Sequence, residues 1–134
     1  ALPATVCTTV RVGDRAVQLQ AFVDTGNQLH DPLSGWPVII AEKRAVYLLM
    51  PEDVRAAFGA LAGGGEGAFP DLGGTSWATR LRLLPFNSIG LRNGMLVGFR
   101  PDSVALLVPG GLMECRAIVG VVDRRMSSDG GVNN

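Results

Sequence analysis

Neither sign of charge is in excess in this chain. Its 12 basic and 12 acidic residues give a formal net charge of zero. It therefore lacks the basic footprint that nucleic-acid binding needs, and no nucleic acid is expected as a partner; nor is there an acidic tail for a basic one. Histidine occurs once, as His30, and cysteine twice, as Cys7 and Cys115. With no CxxC or HxxxH spacing, neither a metal nor any other cofactor is expected. Two isolated thiols make no disulfide framework, so a reducing compartment is expected, with a Cys7–Cys115 bridge as the lesser alternative. A serine or cysteine nucleophile would need His30 as its base, and no Gly-x-Ser-x-Gly elbow is present. His30 reads instead as a surface or hydrogen-bonded residue. Lysine occurs once, at Lys43, and every other basic residue is arginine, which reads as a compositional bias. No apolar run is long enough to span a membrane, and no signal peptide is found. The chain starts at Ala1 without Met, and we expect it to be a fragment of a longer protein.

What is present is apolar and rich in glycine. The 134 residues are 47% hydrophobic with 18 glycines, which suits one β-rich domain over residues 1–134 with a real core and many turns. Thr5 to Val12 alternates, with Val6, Thr8, Val10 and Val12 on one face. Gly13-Asp14 is a tight turn, and Arg15 to Val23 returns with Val17, Leu19, Ala21 and Val23 against Gln18 and Gln20. This is a hairpin signature. Trp36 to Ile40 reads as a short buried strand. Pro51-Glu52-Asp53 followed by Val54, Phe58 and Leu61 reads as a helix start with one apolar face. Gly63 to Gly67 reads as a linker, since it lacks the Lys-Ser/Thr of a phosphate loop. Trp77 to Leu84, Val104 to Val108 and Cys115 to Val122 read as strands, and Asn93-Gly94 as the two-residue turn of a hairpin from Ile89 to Phe99. Ser127 to Gly131 reads as a turn or frayed end. The expected fold is mainly β: six to eight strands in a closed or partly closed barrel, with one or two short helices.

The densest chemistry lies in Phe22-Val23-Asp24-Thr25-Gly26-Asn27. An apolar strand ends abruptly in an acid, a small hydroxyl residue and a glycine. Such a strand presents a carboxylate at a turn, where Gly26 lets backbone amides approach and Thr25 can brace it. Aspartic peptidases hold a catalytic aspartate in this way. Their chemistry needs two carboxylates so close that they share one proton. One draws a proton from water, the other hydrogen-bonds the scissile carbonyl, and no covalent intermediate forms. The chain holds one such motif and is too short for two lobes, so the second aspartate must come from a second copy. That is the homodimeric, retropepsin-like solution, with Asp24 facing its symmetry mate. Retropepsin-like chains also carry an apolar-apolar-Gly step that packs beneath the active-site loop. Ile118-Val119-Gly120 resembles it, and equally fits an ordinary strand with a bulge glycine. A hairpin flap closes over the substrate in such proteins. Ile89-Gly90-Leu91-Arg92 is the candidate, and a plain surface hairpin accounts for the same residues. The glycines from Gly63 to Gly74 are a weaker flap candidate.

The pattern narrows further. Val23-Asp24-Thr25-Gly26-Asn27-Gln28-Leu29-His30-Asp31-Pro32-Leu33, then Pro37-Val38-Ile39-Ile40, closely resembles the peptidase domain of the sporulation sigma-E factor processing peptidases, the SpoIIGA family. Leu83-Leu84-Pro85-Phe86-Asn87-Ser88-Ile89-Gly90 and Gly98-Phe99-Arg100-Pro101-Asp102 extend the likeness over most of the chain. The resemblance implies a soluble aspartic peptidase domain attached to a membrane-embedded N-terminal half. It implies action on the cytoplasmic side of the membrane, in the mother cell at the sporulation septum. The implied substrate is an inactive sigma factor precursor, whose pro-sequence is removed, and the implied trigger is a signalling protein from the forespore side. It aligns Asp24 with the family's catalytic aspartate. Two further readings stay open on the residues: a retropepsin-like dimerisation or peptide-docking module that is catalytically silent in isolation, and a structural β domain whose Asp-Thr-Gly is only a turn.

Overall fold

The structure, a computed structural model, describes residues 3–24, 29–62, 72–88 and 91–123. The glycine run at Gly63 to Gly67 and the Ser127 to Gly131 segment lie outside them. Eight strands form one sheet: β1 (Pro3–Val12), β2 (Arg15–Asp24), β3 (Val38–Glu42), β4 (Leu81–Ser88), β5 (Leu91–Phe99), β6 (Ser103–Val108), β7 (Gly111–Cys115) and β8 (Ile118–Val122). Their order across the sheet is β4-β5-β8-β3-β2-β1-β6-β7. Two short helices, α1 (Lys43–Val46) and α2 (Glu52–Ala62), follow β3. The mainly β class is as expected. The closed or partly closed barrel is not: among the described residues β4 and β7 are free edges, and the sheet stays open.

The β1–β2 hairpin sets the frame. Val12 pairs with Arg15, and Gly13 takes the positive φ of 61° that a tight two-residue turn demands. The turn is held from outside, because the Gly13 amide donates to Asp102 Oδ2 at 2.6 Å. Alternation along both strands sends Val10, Val12, Leu19 and Ala21 into the main core. Helix α2 covers that core with Val54 and Phe58, at 0% and 3% exposure. Each such side chain removed from water contributes about 2 kcal/mol. Asp53, in the first turn of α2, accepts from the Ser76 amide at 2.7 Å and the Ser76 hydroxyl at 2.9 Å. These bonds hold the turn that carries Trp77, whose ring meets Phe99 at 4.8 Å between centroids.

A second, smaller core lies apart from the first. Val38, Leu84 and Ile118 are its buried members, with Leu29, Trp36, Ile40 and Leu96 packed around them. Two glycines in register, Gly98 on β5 and Gly120 on β8, make room for it. A Cβ on Gly98 would sit 2.7 Å from the Val119 carbonyl oxygen and 2.8 Å from Leu84 Cδ1. A Cβ on Gly120 would meet Val38, Ile40 and Leu96 at 3.0, 3.1 and 3.3 Å. Both lie in the sheet row that carries Ile40 and Phe22.

Four boundaries differ from the sequence reading. Asn93 and Gly94 form no turn but lie within β5, with Gly94 opposite Phe86. The observed register sets Leu81 against Phe99 and Leu84 against Leu96, so packing into two cores overrides local turn chemistry. Trp36 and Trp77 precede their strands rather than starting them. The expected strand from Cys115 to Val122 breaks at Arg116-Ala117, where β7 ends and β8 begins. Both cysteines are free. β6 lies between β1 and β7, so two strand spacings, ~9.6 Å, separate their backbones, against the ~7 Å limit for a bridge.

Candidate active site

β2 delivers Asp24 as its last residue. Pairing with β1 is unbroken to that point: Phe22 opposite Thr5, Val23 opposite Ala4, Asp24 opposite Pro3. On its other side β2 pairs with β3 through Phe22 and Ile40. The Asp24 backbone is thus fixed as the end of an internal strand. Its side chain, and the expected loop residues Thr25, Gly26 and Asn27, lie outside what the structure describes.

The far end of that turn is well defined. Val38 N–H donates to the Leu29 carbonyl at 2.9 Å, and His30 bridges Pro37. Ile118 N–H donates to the Pro37 carbonyl, also at 2.9 Å. Only residues 25–28 therefore separate two anchored backbone positions. Ile118, Val119 and Gly120 run parallel to β3, paired with Val38, Ile39 and Ile40. They lie two strands from β2, and their link to the turn runs through Val38 and Leu29. Ile118 is fully buried against that pair.

The segment after Leu29 is built on a carboxylate to which the sequence reading gave no role. Asp31 is 1% exposed. Its Oδ1 accepts from the Leu33 amide at 3.2 Å. Its Oδ2 accepts from the Ser34 amide at 3.1 Å, the Ser34 hydroxyl at 2.7 Å and Arg82 Nε at 3.3 Å. Burial alone would push this carboxyl up. The bonds from Ser34, Leu33 and Arg82 outweigh it, and the group lies below the ordinary 3.8. The signal was in the sequence: Asp-Pro followed by Ser is a turn opener whose carboxylate can accept amides two and three residues on. Its partner on β4 was not foreseeable from spacing.

The candidate flap is the β4–β5 hairpin. Ile89 and Gly90 lie outside the described residues, and Leu91 and Arg92 begin β5. The ladder runs from Leu81–Phe99 to Phe86–Gly94, then shifts by an irregularity before Ser88–Leu91. β8 supports only Val97, Gly98 and Phe99. Beyond Leu96 the hairpin is a two-stranded ribbon, with Met95 exposed on it. Two-stranded ribbons twist strongly, and a bulge bends them further. The register carries the tip toward the end of the sheet opposite Asp24, so reaching an Asp24 carboxylate takes such bending. The other glycine cluster contributes only a single 3-10 turn, Leu72–Gly74, to the described residues. Among those residues no group of three or more His, Cys, Asp or Glu is placed to hold a metal. No described helix is long and apolar enough to cross a membrane.

Comparison with known proteins gives a consistent picture. Residues 4–132 match the family model described as sporulation factor SpoIIGA. The sporulation sigma-E factor-processing peptidase of Priestia megaterium is 25% identical over 87% of the chain, which covers 37% of that protein. The peptidase of the same name from Bacillus subtilis is 23% identical over 89% of the chain, covering 38% of it. A relative from Bacillus thuringiensis subsp. kurstaki is 27% identical and is covered over 74% of its length. The chain thus spans under two fifths of the first two relatives. No solved structure matches.

Proposed function

The chain belongs to the sporulation factor SpoIIGA family of peptidases, and on that premise we propose that it is the aspartic endopeptidase domain that removes the pro-sequence of a sigma factor precursor. The precursor is suggested by the names of the Priestia and Bacillus subtilis relatives. The observation that carries the aspartic mechanism is Asp24 itself. It ends a strand fixed by β1, opens Asp24-Thr25-Gly26-Asn27, and is followed by a segment re-anchored at Leu29.

One Asp-Thr-Gly per chain makes the active site a shared one. Two copies bring two Asp24 carboxylates together across a two-fold axis, and like charges at hydrogen-bond range hold one proton between them. The ionised carboxylate takes a proton from a bound water, and its partner's proton goes to the carbonyl oxygen of the scissile peptide. Water oxygen bonds to the carbonyl carbon, giving a tetrahedral intermediate. Its collapse breaks the C–N bond as the amine takes the proton held by the first carboxylate and a hydroxyl of the intermediate returns its proton to the second. Thr25, Gly26 and Asn27 form the loop that presents the carboxylate, and Ile118, Val119 and Gly120 support it through β3. Ile89, Gly90, Leu91 and Arg92 are the flap, bending over the bound segment. The parent protein works at the cytoplasmic face of the mother-cell membrane, anchored by an N-terminal part. A forespore signalling protein acts by favouring the paired or closed state, as any ligand that binds one state better does.

The test is Asp24→Asn in the full-length protein with its precursor. The amide is nearly isosteric but cannot act as a base, so processing should fall by roughly 1,000-fold or more while the urea midpoint stays put. Undiminished processing by the folded variant would refute the assignment.

A further inference from the structure

Asp31 and Arg82 meet where nothing in the reaction calls for them. Asp31 belongs to the segment that leaves the Asp24 turn, and Arg82 lies at the base of β4, in the hairpin proposed as the flap. They come from parts of the chain 51 residues apart. Both are withdrawn from water, with side chains 1% and 14% exposed. Arg82 is aimed from two sides, since its Nη1 donates to the Thr79 carbonyl at 3.1 Å and the Leu81 carbonyl at 3.2 Å. Asp31 is held as firmly. Its amide donates to the Trp36 carbonyl at 2.9 Å, its carbonyl accepts from Gly35 at 2.7 Å, and Ser34 and Leu33 clasp the carboxylate. Leu84, two residues along β4 from Arg82, belongs to the small core with Val38 and Ile118, against which Leu29 and Trp36 pack.

We infer that the Asp31–Arg82 ion pair is a positioning clamp, fixing the exit of the catalytic turn to the base of the flap hairpin. The inference rests on the reading of Asp24 as catalytic. The chain is anchored at Asp24 by β1 and at Leu29 by β3, the two described positions on either side of the catalytic turn. The segment carrying Leu29 is held down by its own small core and by Arg82. Loosening Arg82 frees that segment to shift and the base of β4 to move with it. A displacement of ~1 Å at a catalytic group costs on the order of 100-fold in rate. Neither Asp31 nor Arg82 touches the reacting atoms in this account. Their effect reaches Asp24 through Leu29.

The experiment compares full-length Asp31→Asn, Arg82→Gln, Arg82→Lys and the Asp31→Asn/Arg82→Gln double variant, with Asp24→Asn alongside. Asp31→Asn keeps one acceptor oxygen, enough for the Leu33 amide or for the Ser34 amide and hydroxyl but not for both, so Arg82→Gln, which leaves the turn's own bonds intact, carries the comparison. Precursor cleavage is measured as kcat and KM at a temperature where unfolding curves show every variant folded. The clamp predicts that Asp31→Asn and Arg82→Gln each lower kcat at least about tenfold with KM within about twofold. The double variant should be no worse than either single one, because both remove the same contact. Arg82→Lys, which keeps the charge, should recover part of the loss. Lower thermal stability with kcat unchanged would overturn the inference and leave the pair a structural tie. Additive losses in the double variant would also overturn it. Asp24→Asn separates the two claims. If it stays active, the aspartic reading fails, whereas a dead Asp24→Asn beside fully active clamp variants sinks the clamp alone.

Discussion

Gly98→Ala should destabilise the fold far more than Gly120→Ala, although the two glycines face each other across β5 and β8. In a strand, alanine is normally favoured over glycine by ~0.5–1 kcal/mol. Against that stands the space each methyl would enter. At Gly98 the new Cβ would lie 2.7 Å from the Val119 carbonyl oxygen, a backbone atom held in the β3–β8 ladder, and 2.8 Å from Leu84 Cδ1. Leu84 can turn away, but the carbonyl can move only by displacing β8. Overpacking of this kind costs ~1–3 kcal/mol, and a backbone clash belongs at the top of that range, so the net loss is about 2 kcal/mol. At Gly120 the nearest atoms are the ends of Val38, Ile40 and Leu96, none closer than 3.0 Å. They give way by a few tenths of an ångström, and the net change is within about 0.5 kcal/mol of zero. Urea unfolding followed by tryptophan fluorescence reads this directly, because Trp77 is buried against Phe99, the neighbour of Gly98. With a slope of ~2 kcal/mol/M, the Gly98→Ala midpoint should drop by about 1 M. Adding Leu84→Ala should not restore it, since the carbonyl remains. A Gly98→Ala midpoint at or above the wild-type value, or a larger loss from Gly120→Ala, would refute the two-core packing derived from the register.

Four further outcomes rest on the same geometry. Asp31→Ala leaves Arg82 buried without its partner and should cost about 3 kcal/mol in urea unfolding. The Asp31 carboxyl lies below 3.8 when folded, so its contribution is complete above that value and lost as pH falls from there through the lower folded value. Below pH about 4 the wild type should therefore lose stability more steeply than Asp31→Asn. Mass spectrometry after alkylation under non-reducing conditions should find two modified cysteines and no bridge. Cys115 should react slowly, because burial pushes its thiol up; a Cys7–Cys115 disulfide would contradict the strand order. Folded His30→Ala should keep appreciable processing activity, and complete loss would show that the imidazole takes part in the reaction.

Much of the fold was legible because alternation is a strong signal. Val10, Val12, Leu19 and Ala21 point inward as their period of two requires, and Gly13-Asp14 turns where expected. Helix α2 buries Val54 and Phe58 as its spacing implied. What was not legible depends on distant partners. Asn93-Gly94 has the chemistry of a hairpin turn, yet Leu84 finds a second core only in the register that places those residues inside β5. The open sheet follows from pairings between strands far apart in sequence, such as β3 with β8. Of the candidate site, Asp24 could be placed at the end of a strand from its own neighbourhood. The Asp31–Arg82 contact could not, because no local pattern joins residues on a loop and a strand 51 positions apart.

The shared active site is tested most directly by mixing chains. Wild-type full-length protein is combined with increasing excess of Asp24→Asn protein under conditions where subunits exchange, and precursor cleavage is measured per wild-type chain. If each site needs two Asp24 carboxylates, mixed dimers are dead, and activity per wild-type chain falls with the wild-type fraction, to about one tenth at a ninefold excess. Activity that stays proportional to the wild-type chains present would mean that each chain carries its own complete catalytic apparatus, and the account built on a shared aspartate pair would be wrong.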